Sequence, residues 1–294
     1  MKLTISDILE KYDTFLIDLW GVVWDGETVF EKSVGFCKRL HREGKRILFL
    51  SNCAEYVAET LITRLHKAGL SEASTDWLAT SGQAMESWFR QNGLAGKPVY
   101  TFGGTELVEN VRRAGAKPID IPENGLSLED HAESDVLVVG GVLNFDWQRL
   151  SEVITAIRAG KLRVVLPNPD YIIITANGRV KLPPGMIVHI FERALPGLQV
   201  DRIGKPYRFI YDYALEKAKA DDRNRTLMIG DSLETDIRGA HNAGIPSMMV
   251  HHGVHAGEDL ESIRKISDGH GVHPDIFAPE LTEDTEFISL DWKK

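Results

Sequence analysis

Leu227-Met228-Ile229-Gly230-Asp231-Ser232-Leu233-Glu234-Thr235-Asp236-Ile237 is an apolar run that stops at Gly-Asp and carries a second aspartate five residues on. The run reads as a buried parallel strand. Gly230-Asp231 then sets a carboxylate at the strand's C-terminal end, where open α/β sheets bind their ligands. Asp231 and Asp236 fall together at the start of the helix that follows. Two neighbouring acids repel unless a cation or donors compensate them. A hard cation such as Mg²⁺, held by a few carboxylates with water and substrate phosphate, is the natural compensator. The same residues also suit a plain helix start, since Asp and Ser cap N-termini and carboxylates favour the positive end of the helix dipole.

A second strand of the same kind favours the metal. Phe15-Leu16-Ile17-Asp18-Leu19-Trp20-Gly21-Val22-Val23 is again an apolar run ending in Asp, and Gly21 permits a tight turn or a close ligand. Two strands that each deliver an Asp at the C-terminal end build one anionic pocket on one edge of a sheet.

The rest of the chain alternates strand and helix signals, which predicts an α/β fold with a mostly parallel sheet. Strands are expected at 15–19, 46–50, 77–80, 98–102, 136–139, 163–166, 199–203, 227–229 and 247–250, with an edge strand at 275–277. Helices are expected at 33–43, 54–67, 83–91, 106–114, 146–159, 186–195, 207–219 and 235–243. The polar stretch Asn124 to Glu133 reads as a surface loop. Asp18 and Asp231 need each other, so the chain between Asn92 and Asn177 must leave the core and return. The expected division is a core of residues 1–85 and 181–294 with an inserted α/β cap of residues 86–180.

The 294 residues are 43% hydrophobic and 26% charged, an ordinary globular composition. The net charge of −9 and the lack of a dense Lys/Arg cluster argue against a nucleic-acid partner. The longest apolar stretches are strand-sized, which argues against a membrane span. Two cysteines, Cys37 and Cys53, show no CxxC pattern and read as reduced thiols of a cytoplasmic protein. The N-terminus lacks an apolar core of signal-peptide length. A homodimer is the base-rate assembly.

Four points line up at the ends of expected core strands: Asp18, Ser51, Lys205 and the Asp231/Asp236 pair. A carboxylate can attack phosphorus to form an acyl phosphate. A hydroxyl and a lysine can hold phosphate oxygens, and a divalent cation can screen the anionic nucleophile from its anionic substrate. Taken singly, Gly204-Lys205-Pro206 also reads as a surface turn and Ser51 as a cap or turn serine.

In chain order, Asp18-x-x-Gly21-Val22, Ser51-Asn52, Gly204-Lys205-Pro206 and Gly230-Asp231-Ser232-x-x-Thr235-Asp236-Ile237 resemble the four motifs of haloacid dehalogenase superfamily phosphatases. The inserted segment, with Val138-Val139-Gly140, Asn168-Pro169-Asp170 and Gly253-Val254, is similar to the class IIA, NagD-like branch. The resemblance implies a Rossmann-like parallel-sheet core with a cap between the second and third motifs. It also implies roles. Asp18 would be the nucleophile and a Mg²⁺ ligand, together with the Trp20 carbonyl, Asp231 and Asp236. Ser51, the Asn52 backbone N–H and Lys205 would hold the phosphoryl group. Asn168 and Asp170 would shape substrate access, although Asn-Pro-Asp equally suits a turn.

One position departs from the pattern. The superfamily's phosphatases carry a second Asp two residues after the nucleophile, which protonates the leaving group and then activates water. Here it is Trp20, whose indole only donates a hydrogen bond. A positioned acid/base contributes roughly 10²–10⁴-fold. Three readings follow: a leaving group that needs little protonation, a substitute acid such as Asp25 or a cap side chain, or a protein that binds a phosphorylated ligand with hardly any turnover. Trp20 also suits stacking on a substrate ring, or plain packing. The leading expectation is a Mg²⁺-dependent phosphatase of a small phosphorylated metabolite, sugar phosphates among them. The alternative is a non-catalytic phospho-ligand binder. Carbon–halogen cleavage is disfavoured, because displacing a halide needs no metal.

Overall fold

Short apolar runs separated by amphipathic helices must bury both strand faces under helices, and the chain does this twice. The structure, a computed structural model, describes residues 1–121, 134–141, 146–175 and 179–292. The loop expected at Asn124 to Glu133 lies outside the described residues. In chain order the first sheet starts with β1 (Lys2–Leu3), β2 (Thr14–Ile17), β3 (Arg46–Ser51) and β4 (Leu78–Thr80). The chain then builds β5 (Pro98–Phe102), β6 (Lys117–Asp120), β7 (Val136–Val139) and β8 (Arg163–Leu166). A short ribbon, β9 (Ile173–Ile174) and β10 (Val180–Lys181), precedes β11 (Val200–Arg202). The path ends with β12 (Thr226–Gly230), β13 (Ser247–Val250), β14 (Ile276–Ala278) and β15 (Phe287–Ser289).

The eight-stranded sheet has the order β1-β15-β14-β13-β12-β2-β3-β4. From β14 to β4 every pair is parallel, while β15 pairs antiparallel with β14 and with the edge strand β1. Register positions the site. Ile17 lies opposite both Ile229 and Phe49, so β2, β12 and β3 end nearly level and release Asp18, Asp231 and Ser51 at one edge. Side chains alternate through the sheet, as a pleated strand requires. Phe15, Ile17, Ile47, Phe49 and Ile229 pack with Val34, Phe36 and Leu40 of the helix Glu31–Arg42. Leu16, Leu48, Leu50 and Met228 face the other way, onto Ile210, Tyr211 and Ala214 of the helix Arg208–Ala218. Each fully buried side chain of this size contributes about 1.5–3 kcal/mol. This density of burial fixes the strand ends in place.

The five-stranded sheet, β11-β8-β7-β5-β6, is parallel throughout. Val136, Val138 and Val165 face Leu107 and Val111 of the helix Thr105–Arg113. Leu137, Val139 and Val164 face Val153, Ile157, Val188 and Phe191, from the helices Trp147–Gly160 and Pro184–Ala194.

The expected domain limits do not follow these sheets. β11 was expected in the core, yet Val200 pairs with Val164 and Arg202 with Leu166 in the second sheet. An ion pair between Arg163 and Asp201 ties the same edge. The other limit, at 85/86, cuts through the unbroken helix Ser81–Gln91. We propose an insert of residues 92–203 in place of 86–180. The helix expected from Ala54 begins only at Ala58. Asn110 donates to the carbonyls of Ala54 and Tyr56, and Val57 N–H donates to Glu106. Insert side chains thus take up backbone groups that a helix would have used. Among the described residues no helix is long and apolar enough to cross a membrane.

Candidate active site

β2 ends at Ile17, and the Asp18 N–H reaches across to the Ile229 carbonyl (2.9 Å), pinning the first aspartate beside the end of β12. Its Oδ1 accepts from Leu19 N (2.8 Å) and lies 2.7 Å from Lys205 Nζ. The same ammonium lies 2.6 Å from Asp236 Oδ1. Asp236 enters on a π-helical turn, Leu233–Ile237, that leads into the helix Arg238–Ala243. Such turns recur at functional sites. Its Oδ2 accepts from Ser232 N (3.2 Å), and Tyr211 Oη donates to its carbonyl (3.0 Å). Asp231 accepts from Val254 N (2.8 Å). Oxygens of Asp18, Asp231 and Asp236 lie within 4.8 Å of one another, and all three side chains are buried. The expected convergence of Asp18, Lys205, Asp231 and Asp236 is what the structure shows.

Two glycines make room for this cluster. Gly21 (φ +84°) and Gly253 (φ +57°) both lie against the Asp231 carboxylate, and a Cβ on either would overlap it. Both hold the left-handed backbone that glycine adopts without strain.

Ser51, at the end of β3, lines the same cavity, of about 400 Å³. Asn52 was expected to act through its backbone N–H, but here its side chain is engaged. Its Oδ1 accepts from Lys205 N (2.5 Å), and its Nδ2 donates to the Lys205 carbonyl (3.0 Å) and to Asp170 Oδ1 (2.7 Å). The amide therefore locks the Gly204-Lys205 turn and ties it to the insert. Asn168 accepts from Asp170 N (3.0 Å), as the turn reading of Asn-Pro-Asp predicts, and both residues line the cavity.

Trp20 forms part of the cavity wall. Its indole nitrogen is buried with no hydrogen-bond partner among the described residues. Asp25 is not a cavity residue. Its Oδ1 accepts from Glu27 N (3.0 Å) and Thr28 N (2.7 Å) and closes its own turn, so it does not replace the missing acid. The sequence reading missed Glu55, Tyr171, Ile172 and Tyr207, which also line the cavity. The run Tyr171 to Ile174 directly after Asn-Pro-Asp was a visible signal. Glu55 had none, because its position depends on where the helix after β3 begins.

Burial pushes the Asp18 carboxyl well above its usual range, against the pull of Lys205 and with the repulsion of Asp236 and Asp231. Asp231 is pushed up to about 7 by burial and then by Asp236. Burial also raises Asp170, to about 6, with Lys205 and Asn52 opposing. Burial works against the Lys205 charge, yet Asp18, Asp236 and Asp170 hold its pKa above the ordinary lysine value. Three buried carboxylates thus face one ammonium, and among the described residues Asp231 has no cation in contact. An all-oxygen donor set with excess negative charge fits a hard divalent cation.

The comparisons agree with this geometry. The family model for haloacid dehalogenase-like hydrolases matches residues 15–117, and a HAD-hydrolase-like model matches residues 202–283. The glycerol-3-phosphate phosphatase of Rattus norvegicus is 27% identical over 272 residues, 87% of this chain and 84% of that protein. A p-nitrophenyl phosphatase from Archaeoglobus fulgidus superposes with a TM-score of 0.78 at 26% identity, over 93% of this chain and 98% of that one. The glycerol phosphate phosphatase of Mycobacterium tuberculosis, solved in complex with magnesium, gives a TM-score of 0.75 at 26% identity, over 93% and 76% of the two chains. Fold and site together define a haloacid dehalogenase-like hydrolase, and the chain belongs to that superfamily. Within it, the chain falls in the class IIA, NagD-like branch.

Proposed function

We propose that this chain is a Mg²⁺-dependent phosphatase of small phosphorylated metabolites that works through an aspartyl-phosphate on Asp18. The observation that carries the reading is the contact of Lys205 Nζ with both Asp18 (2.7 Å) and Asp236 (2.6 Å), inside a cluster completed by Asp231. Asp18, the Trp20 carbonyl, Asp231 and Asp236 would hold Mg²⁺. Bound there, the ion supplies charge compensation for the nucleophile and the phosphoryl group. Asp18 attacks phosphorus, and Lys205 neutralises the carboxylate and a phosphoryl oxygen. Ser51 Oγ and the Asn52 N–H orient the remaining oxygens. Residues 170–174 of the insert stand over the cavity, which favours small substrates over proteins. The related phosphatases of glycerol 3-phosphate and p-nitrophenyl phosphate support the reaction class.

The test is phosphate release by the purified protein with Mg²⁺ across aryl, acyl and sugar phosphates. Absence of turnover above an Asp18→Asn control on every one would sink the reading. Trp20 favours a second reading, a phospho-ligand binder. Calorimetric binding of a phosphometabolite, with no hydrolysis over hours, would decide for it.

A further inference from the structure

A phosphoryl group held between Asp18 and Lys205 must present its leaving oxygen in line with, and away from, the attacking carboxylate. Glu55 and Glu234 lie on the cavity wall, and the three carboxyls nearest Asp18 and Lys205 are engaged elsewhere. Asp236 holds Lys205 and Ser232 N, Asp231 accepts from Val254 N, and Asp170 accepts from Asn52. The side chain on the nucleophile's own loop that lines the cavity is Trp20, with a buried indole N–H that has no partner among the described residues. An indole can donate a hydrogen bond to a developing anion, but it gives up no proton. The same cavity exposes apolar surface: Tyr171 is 45%, Ile172 42% and Tyr207 40% exposed. Large apolar side chains left open at a cavity mark where an apolar body is covered on binding.

We propose that the cavity takes a phosphate ester or anhydride whose leaving oxygen is a weak base (an aryl, enol or acyl phosphate), with its body against Trp20, Tyr171, Ile172 and Tyr207. The proposal rests on the phosphatase reading above and narrows its substrate. In the first step the Asp18 Oδ–P bond forms and the P–O bond to the leaving group breaks. The electron pair stays on the leaving oxygen, which departs as a phenolate, enolate or carboxylate without taking a proton from the enzyme. In the second step water attacks phosphorus, the Oδ–P bond breaks, and the water's proton passes to the departing phosphate. Phenols ionise near pH 10 and carboxylic acids near 4, whereas water and simple alcohols hold their proton to about 16, so alkyl phosphates are left without help.

The experiment measures kcat/KM of the wild-type protein with Mg²⁺ on substituted phenyl phosphates, acetyl phosphate, glycerol 3-phosphate and glucose 6-phosphate. The expected result is a steep fall with leaving-group pKa, with the alkyl phosphates roughly 10²–10⁴-fold below the activated aryl phosphates. Trp20→Asp, which restores a carboxyl, should raise the alkyl-to-aryl ratio by about tenfold or more. The wild-type slope stands by itself if that variant fails to fold. A shallow slope, with alkyl phosphates turned over as well as aryl ones, would overturn the proposal and leave the phosphatase reading intact. Release no faster than Asp18→Asn on every probe would instead overturn the phosphatase reading itself.

Discussion

Replacing Asp170 by Asn tests the electrostatics of the cavity without touching the nucleophile or the carboxylate cluster. Asp170 is enclosed by the insert, its Oδ1 2.7 Å from Asn52 Nδ2, and an Asn carbonyl oxygen can keep that contact. Burial raises its pKa from 3.8 to about 6. Between those values the folded protein binds more protons than the unfolded chain. The stability contribution is therefore complete below pH 4 and falls as pH rises to 6. At about 1.4 kcal/mol per pH unit the loss is at most about 3 kcal/mol, an upper bound because Asp170 keeps some contact with cavity water. The Asn variant has no such group. Urea unfolding in metal-free buffer at pH 4, 5, 6 and 7.5 should show the variant gaining on the wild type by up to about 3 kcal/mol across the window, then levelling. A gap that stays constant from pH 4 to 7.5, or narrows, would refute the buried-carboxylate argument.

Lys205→Met removes the cation between Asp18 and Asp236. It should lower kcat/KM by about 10²–10³-fold and destabilise the metal-free fold by about 3–5 kcal/mol, read by steady-state kinetics and urea unfolding. Mg²⁺ at 100 times its Kd should stabilise the wild type by about 2.7 kcal/mol. Thermal melts should show that increment lost in Asp231→Asn, because Asp231 is the carboxylate of the cluster with no cation in contact among the described residues. Gly21→Ala puts a Cβ onto the Asp231 carboxylate at φ +84°. The backbone alone should cost about 1–3 kcal/mol, and calorimetry should find weaker Mg²⁺ binding.

Most of the strand pattern was readable because parallel strands buried on both faces are short continuous apolar runs, and those at β2, β3, β8 and β12 have no competing reading. The carboxylate cluster was readable for a related reason: each Asp follows such a run, and register does the rest. Sheet membership was not readable. The residues of β11 look like a strand, but which sheet accepts them depends on an edge partner, Arg163 to Leu166, more than thirty positions away. Local pattern also failed after β3. Residues 54–57 continue a helical periodicity, and only Asn110 and Glu106, brought in by the insert, draw their backbone groups elsewhere. The Asn52 side chain was missed likewise, since its partners come from 118 and 153 residues further along the chain.

Charge balance explains why one substitution at position 20 can alter the chemistry while sparing the site. Asp18, Asp231 and Asp236 already place three buried carboxylates against one lysine. Burial of unpaired charge is costly, and the elevated Asp231 shows where the excess lies. A further aspartate at position 20 would add to that excess near the nucleophile, whereas an indole adds none. What the indole withholds is a proton at the leaving oxygen. In the proposed mechanism, phosphate recognition and metal binding would depend on the carboxylates, Lys205 and backbone groups, and none of these is changed. On the proposed reading, Trp20 would leave phosphoryl capture by Asp18 in place and shift the burden of bond cleavage onto the substrate's own leaving group.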